Sequence, residues 1–318
     1  MDFMDFSMID FDHGISAIDT GFFRPRFDAS HLIVENGRAA FVDVGTNHSV
    51  PLLLAALQEK DIAVESVDYV ILTHVHLDHA GGAGALIRHL PNARLVVHPR
   101  GARHMLDPSQ LIAGATAVYG AEEIQRSYGE LLPIDATRVD IANDGHVIAL
   151  AGRELVCLDT PGHARHHMSI YDARSRAFFP GDTFGLSYRE FDTGKGAFIL
   201  PTTTPVQFEP EALHASIERM LSFAPEQMFL THYSRVTEVS RLADDLHEQI
   251  DAMVAVARKH ADDPLRHASI TADLANLYTS RAQAHGCELS ATQVHELLAM
   301  DIELNAQGLE VWLDKQSR

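Results

Sequence analysis

Three imidazoles and a carboxylate stand within six consecutive positions in the segment Thr73-His74-Val75-His76-Leu77-Asp78-His79. Imidazole nitrogen and carboxylate oxygen are ligand types that suit zinc, iron or manganese. Further along the chain come Thr160-Pro161-Gly162-His163, Pro180-Gly181-Asp182 and Thr231-His232. Each follows an apolar, strand-like run, and strand ends are the rigid supports that a metal constellation needs. Four such motifs at strand ends point to a shared metal centre, not to chance clustering of the chain's 20 histidines. The two cysteines, Cys157 and Cys287, have no C-x-x-C spacing and make no four-thiolate zinc site. Cys157 lies in the apolar run Glu154–Leu158 and reads as a buried, inert thiol.

The elements that must position these residues are legible in outline. Val67–Leu72 is a continuous apolar run rich in β-branched residues, as a strand buried on both faces would be, and it ends at Thr73. Gly81-Gly82-Ala83-Gly84 then permits close backbone approach beneath the histidines. Strand-like segments near Ile15–Ile18, His31–Glu35 and Ala39–Val44 open the chain. Asn36-Gly37 between the last two is a type I′ hairpin signal. Pro51 to Lys60 reads as a helix, and 101–129 as helix broken by Pro108, Gly114 and Gly120. A long loop is expected over 184–205. Beyond His232 the pattern turns wholly helical: Val236, Val239, Leu242, Leu246, Ile250 and Met253 recur at helical spacing. Ser290-Ala-Thr-Gln293 reads as a capping box, with Gly308 as the C-cap of the last helix. Patterning alone supports an α/β or α+β class.

Length and charge set the outer bounds. A chain of 318 residues holds one large α/β domain plus a smaller addition, or two modest domains. With 46% hydrophobic and 22% charged residues it is ordinary globular material. The formal charge of −19 disfavours nucleic acid and anionic membrane surfaces as partners, because both require a basic footprint. No apolar run approaches the roughly 18 residues of a membrane span. The first 14 residues lack the basic start and apolar core of a secretory signal, so a cytoplasmic location is expected.

In order, Val42-Asp43-Val44-Gly45, the His74–His79 segment, Thr160-Pro161-Gly162-His163, Gly181-Asp182 and Thr231-His232 resemble the metallo-β-lactamase superfamily over roughly residues 15 to 235. The resemblance implies an α/β fold: an αββα sandwich over 1–235, with an all-helical extension over 236–318. It implies two divalent ions, zinc first, with iron and manganese also compatible with the ligand types. His74, His76 and His163 would hold one ion; Asp78, His79 and His232 would hold the other, and Asp182 would bridge them. Asp43 resembles the aspartate that orients the histidine loop by hydrogen bonding. The activity implied is hydrolysis of a small ester-type bond, a thioester or lactone, by metal-activated water. Asp78 would take up a proton as the intermediate collapses.

Departures within the superfamily narrow this expectation. Asp78 and His79 differ from the H-x-E-x-D pattern of flavodiiron proteins. The third residue after Asp182 is Gly185 and the nearest tyrosine is Tyr188, unlike the arrangement in acyl-homoserine lactonases. Glyoxalase II is similar in its histidine loop and its helical C-terminal domain. Two other classes stay open: a mononuclear iron enzyme resembling persulfide dioxygenases, and a metal-containing binding or signalling protein. The expected partner is a small-molecule substrate. The helical extension is expected to pack on the fold or form a homodimer contact, and capping the cleft is its other use.

His166, His167, His98 and His104 are read as structural histidines. Phe22, Phe23, Arg24 and Arg26, in an early loop, and Phe184, Tyr188, Lys195 and Phe198, after Asp182, are candidates for lining the substrate pocket.

Overall fold

A computed structural model of the chain describes residues 6–203 and 207–316. Seven strands form one sheet in chain order: β1 (Met8–Phe11), β2 (Ile15–Asp19), β3 (Ala29–Glu35), β4 (Arg38–Val42), β5 (Val67–Ile71), β6 (Arg94–Val97) and β7 (Val139–Ile141). The pairings from β1 to β4 are antiparallel, and those from β4 to β7 are parallel. Parallel neighbours need crossovers, which here are helical. α1 (Val50–Glu59) runs between β4 and β5, and α2 (Leu77–Ala80) and α3 (Ala83–His89) between β5 and β6. α4 (Pro99–Leu106), α5 (Ser109–Tyr119) and α6 (Ala121–Tyr128) run between β6 and β7. The second sheet contains β8 (His146–Leu150), β9 (Arg153–Asp159), β10 (Met168–Asp172), β11 (Ala177–Phe179), β12 (Gln227–Leu230) and β13 (Ser234–Val236), in the order β13-β12-β11-β10-β9-β8.

The described helices that remain are α7 (Pro210–Leu221), α8 (Val239–Lys259), α9 (Arg266–His285), α10 (Ala291–Leu297) and α11 (Ala299–Gln316). The contacts divide the chain into two compact units. Unit 1 comprises Met1–Asp159, His166–Gly181 and Met228–Ser234; unit 2 comprises Thr160–Arg165, Asp182–Gln227 and Arg235–Arg318.

Unit 1 is layered, and side-chain alternation explains why. Leu32, Ala39, Phe41, Leu95 and Val97 project to one face of the first sheet, where α1, α3 and α4 cover them. The alternate residues Ile33, Ala40, Val42 and Val96 join Leu155, Cys157, Ile170 and Phe179 of the second sheet in a separate core. A sheet apolar on both faces must be covered on both, and here helices lie on one side and the second sheet on the other. The hairpin between β3 and β4 closes through Asn36 (φ 48°) and Gly37 (φ 75°), the positive pair that a type I′ turn requires. The expected broken helical stretch resolves into α4, α5 and α6, and burial pushes the Cys157 thiol up to about 12.

Unit 2 has its own helical core. α8 buries Leu242, Leu246, Ile250 and Met253, α9 buries Ile270, Leu274 and Tyr278, and α11 buries Ile302, Leu309 and Trp312. α11 packs on both α8 and α9. The Ser290/Gln293 capping box is present at the start of α10. The expected C-cap at Gly308 is overturned: Gly308 is buried inside α11, which runs on to Gln316. The apolar face continues past the glycine through Leu309, Trp312 and Leu313, and packing of that face outweighs the roughly 1 kcal/mol that a mid-helix glycine costs. Within 184–205, Leu186 and Leu200 pair as an isolated bridge and Arg189–Phe191 forms a 3-10 turn; residues 204–206 lie outside the described chain. No described helix is long and apolar enough to cross a membrane.

His31, on β3, is buried between Phe179 and Phe229 at 5.4 and 5.6 Å. Burial pushes its imidazole down to about 4 from the ordinary 6.5, against the pull of the Asp43 carboxylate. The unfolded chain therefore gains this proton as pH falls through 6.5, whereas the native ring stays neutral until about 4. This site contributes no penalty above 6.5 and a growing one below it, about 1.4 kcal/mol per pH unit. Urea unfolding across that window should show His31→Leu with a shallower acid loss of stability than the parent. Identical slopes would refute the assignment.

Candidate metal centre

In unit 1 the chain delivers five of the candidate ligands to two strand ends. His74, His76, Asp78 and His79 follow β5, and His232 follows β12. β5 is held on both sides by parallel partners, so the position of its C-terminal end is set by two ladders. His76 then serves as the extended residue before the single turn of α2, which carries Asp78 and His79. Gly82 and Gly84 have no space for a Cβ, which would collide with the Thr46 and Leu132 carbonyl oxygens. The expected close approach beneath the histidines is therefore present.

The ligand atoms of Asp78, His79 and His232 all lie within 4.8 Å of one another. Asp78 Oδ2 is 3.7 Å from His79 Nε2 and 3.5 Å from His232 Nε2. Tetrahedral zinc with bonds of about 2.0–2.1 Å places neighbouring donors about 3.4 Å apart, close to both of these separations. His74 Nε2 and His76 Nδ1 converge to 2.7 Å, and the His74 and His79 ring centroids are 4.0 Å apart.

The other ring nitrogens set the tautomers. His79 Nδ1 donates to Asp43 Oδ2 at 2.8 Å, and His232 Nδ1 donates to the Phe27 carbonyl at 2.9 Å. A carbonyl or carboxylate oxygen only accepts, so Nδ1 carries the proton and Nε2 presents its lone pair, as a metal ligand must. Asp43 also accepts from Thr73 N–H at 2.8 Å, from the Thr73 hydroxyl and from the Thr231 hydroxyl at 2.9 Å. The expectation that Asp43 orients the histidine loop is matched by these contacts.

In unit 2, His163 and Asp182 come together. His163 Nε2 is 3.3 Å from Asp182 Oδ2, and His163 Nδ1 donates to the Thr202 carbonyl at 3.2 Å. The same logic leaves Nε2 as the ligand atom. Gly162, with φ 132°, lies so close to the Leu213 backbone that no side chain fits, which accounts for the glycine before His163.

The remaining candidates fall in several places. His167 is fully buried and stacks on His74 at 4.9 Å, and His166 lies edge-on to His76 at 5.3 Å. His98 caps α4 and pairs with Asp159 at 3.0 Å; His104 accepts from its neighbour Arg103. The early loop does reach the histidines: the Phe27 ring meets His232 edge-on at 5.4 Å, with Arg24 over its face and Phe22 and Phe23 beside it. Arg26 donates its backbone N–H to Asp19. Tyr188 is buried in unit 2 with its hydroxyl on Asp301, Phe198 stacks on Phe191, and Lys195 caps the Ala284 carbonyl. Phe184 is fully buried.

Sequence reasoning passed over Asp28. It is fully buried, bonded by the Thr20 hydroxyl at 3.0 Å, and burial pushes its carboxyl up to about 7 while His232 and His79 pull it down. No motif or spacing marks it, because its neighbours come from distant parts of the chain.

A model of the metallo-β-lactamase superfamily matches residues 24–232, and the chain belongs to that superfamily. It is 27% identical over 173 residues to a metallo-β-lactamase fold-containing protein of Sulfurisphaera tokodaii, covering 53% of this chain and 61% of that one. It is 25% identical over 205 residues to a hydroxyacylglutathione hydrolase of Yersinia pestis, covering 64% of this chain and 61% of that one. The chain thus spans less than two thirds of the length of each of these relatives. Among solved structures, an archaeal superfamily protein from Sulfolobus tokodaii superposes with TM-score 0.65 at 21% identity, over 93% of this chain and 98% of that one. A family protein from Thermus thermophilus superposes with TM-score 0.62 at 20% identity, over 90% and 93%. These superpositions show the sandwich fold with its C-terminal helices.

Asp43→Asn keeps the positive φ of 52°, which asparagine tolerates. The change replaces an oxygen that accepts from Thr73, Thr231 and His79, so a thermal melt must establish that the variant is folded. It loses the anionic acceptor for His79, and metal affinity should fall about 10–100-fold in equilibrium dialysis. Unchanged affinity would remove Asp43 from its orienting role.

Proposed function

We propose that the chain is a metal-dependent hydrolase of a small ester-type substrate, a thioester or lactone. The observation that carries this reading is the convergence of the Asp78, His79 and His232 ligand atoms, with both imidazole tautomers set by oxygen acceptors behind them. Structural zinc sites are closed and rich in cysteine, whereas a site of histidine and carboxylate is of the type used for chemistry. Following the superfamily motifs, His74, His76 and His163 are proposed as ligands of one divalent ion, and Asp78, His79 and His232 as ligands of a second, with Asp182 shared. Zinc is the first choice, and iron and manganese fit the same donors.

Bound divalent ions supply an activated water near neutral pH and polarise a carbonyl oxygen. The chain's own residues then divide the work. Asp78, about a quarter exposed in its side chain, is the acceptor placed to take and return a proton. Asp43 and the Phe27 carbonyl hold the His79 and His232 rings so that no orienting cost is met during turnover. Phe22, Phe23 and Phe27 offer an apolar wall for the acyl portion of a substrate. The relative named hydroxyacylglutathione hydrolase supports the acyl-transfer class. A small soluble substrate in the cytoplasm, not nucleic acid or membrane, fits the charge of −19.

The test is an assay of the metal-loaded chain on thioesters, lactones and phosphodiesters, together with metal analysis. Thioester or lactone turnover is expected. Asp78→Asn should weaken metal binding and, at saturating metal, lower kcat by about 10²–10⁴-fold, and His79→Ala and His232→Ala should lose metal. Inactivity across the panel would overturn the hydrolase reading; a single iron with oxygen uptake on a persulfide would select the oxygenase class.

A further inference from the structure

We infer that unit 2 carries a separate binding site for a late first-row transition-metal cation, between α7 and α8. α7 presents His214 and Glu218, and α8 presents His247 and Asp251. Each pair is four residues apart and so lies on one helix face. The two imidazoles meet edge to edge, with centroids 4.8 Å apart and planes inclined by only 18°. Their Nδ1 atoms face each other at 2.6 Å.

The outer nitrogens face exposed carboxylates: His247 Nε2 lies 2.9 Å from Glu218 Oε1, whose side chain is 66% exposed, and His214 Nε2 lies 3.3 Å from Asp251 Oδ1, 79% exposed. Carboxylates only accept, so the tautomer that meets both of them has each Nε2 protonated and an Nδ1 lone pair turned inward on each ring. Two lone pairs at 2.6 Å repel. In that tautomer a metal cation between them relieves the contact; the competing arrangement is an Nδ1–H···Nδ1 hydrogen bond, with one ring protonated on Nδ1.

A carboxylate behind each imidazole is the arrangement that orients metal-ligating histidines. Tetrahedral zinc would place the two nitrogens about 3.4 Å apart, an opening of less than about 1 Å. The side chains can supply it, since those of His214 and His247 are 27% and 23% exposed. Water would complete the coordination. Imidazole nitrogen selects zinc, nickel or copper over magnesium or calcium. Such an ion would tie α7 to α8 and, binding only the folded chain, would stabilise it.

This inference is independent of the hydrolase reading, and its test needs no activity. Zinc bound per chain is measured by equilibrium dialysis on the full-length protein, with free zinc raised to about 100 µM to saturate a micromolar site. The parent should hold one more zinc than His214→Ala or His247→Ala. Glu218→Gln and Asp251→Asn keep both ligands and should bind that zinc about 10–100-fold more weakly. Thermal melts establish that each variant is folded. Equal zinc content in the parent and both folded alanine variants would overturn the site and leave an Nδ1–H···Nδ1 hydrogen bond as the contact.

Discussion

The Asp43 carboxylate is the interaction on which unit 1 depends. It is buried, and its oxygens accept from the Thr73 amide and hydroxyl, the Thr231 hydroxyl and His79 Nδ1. Those donors come from the end of β5, the end of β12 and the turn of α2, so one side chain ties both sheets to the histidine loop. A buried charge is tolerated only when it is fully hydrogen-bonded, and the cost of leaving it unpaired specifies all these partners together. The backbone at Asp43 takes a positive φ of 52°, which aspartate accepts more readily than most residues. Residue type, backbone conformation and hydrogen bonding therefore agree at this one position.

The same economy of oxygen acceptors recurs at other candidate ligands. Asp43 fixes His79, the Phe27 carbonyl fixes His232, and the Thr202 carbonyl fixes His163. Each acceptor holds the proton on one ring nitrogen and leaves the lone pair on the other. Ring orientation is thereby set by the protein before any ion arrives, which is what makes a metal constellation selective in geometry. The His214–His247 pair applies the rule with side-chain carboxylates on an exposed helix pair, where the flanking charge comes from Glu218 and Asp251.

Much of the fold was legible because its determinants are local. The Asn36-Gly37 turn, the Ser290/Gln293 capping box and the Val67–Ile71 strand each rest on a few adjacent residues, and all three are present. Elements that rest on distant partners were not visible. β1 carries acidic Asp10 and becomes a strand by pairing with β2; β13 reads in sequence as the start of a helix but joins β12. At Gly308 a local stop signal lost to the apolar face that continues beyond it.

The sequence by itself determined the candidate ligands, their order along the chain and the superfamily, because histidine and aspartate at fixed spacing after apolar runs is a covalent pattern. Tertiary structure alone decided which nitrogen each histidine presents, how far Asp28 is driven toward neutrality, and that His214 meets His247. Those outcomes depend on burial and on acceptors tens to hundreds of residues away. Desolvation and hydrogen-bond geometry exist only once the chain has closed on itself.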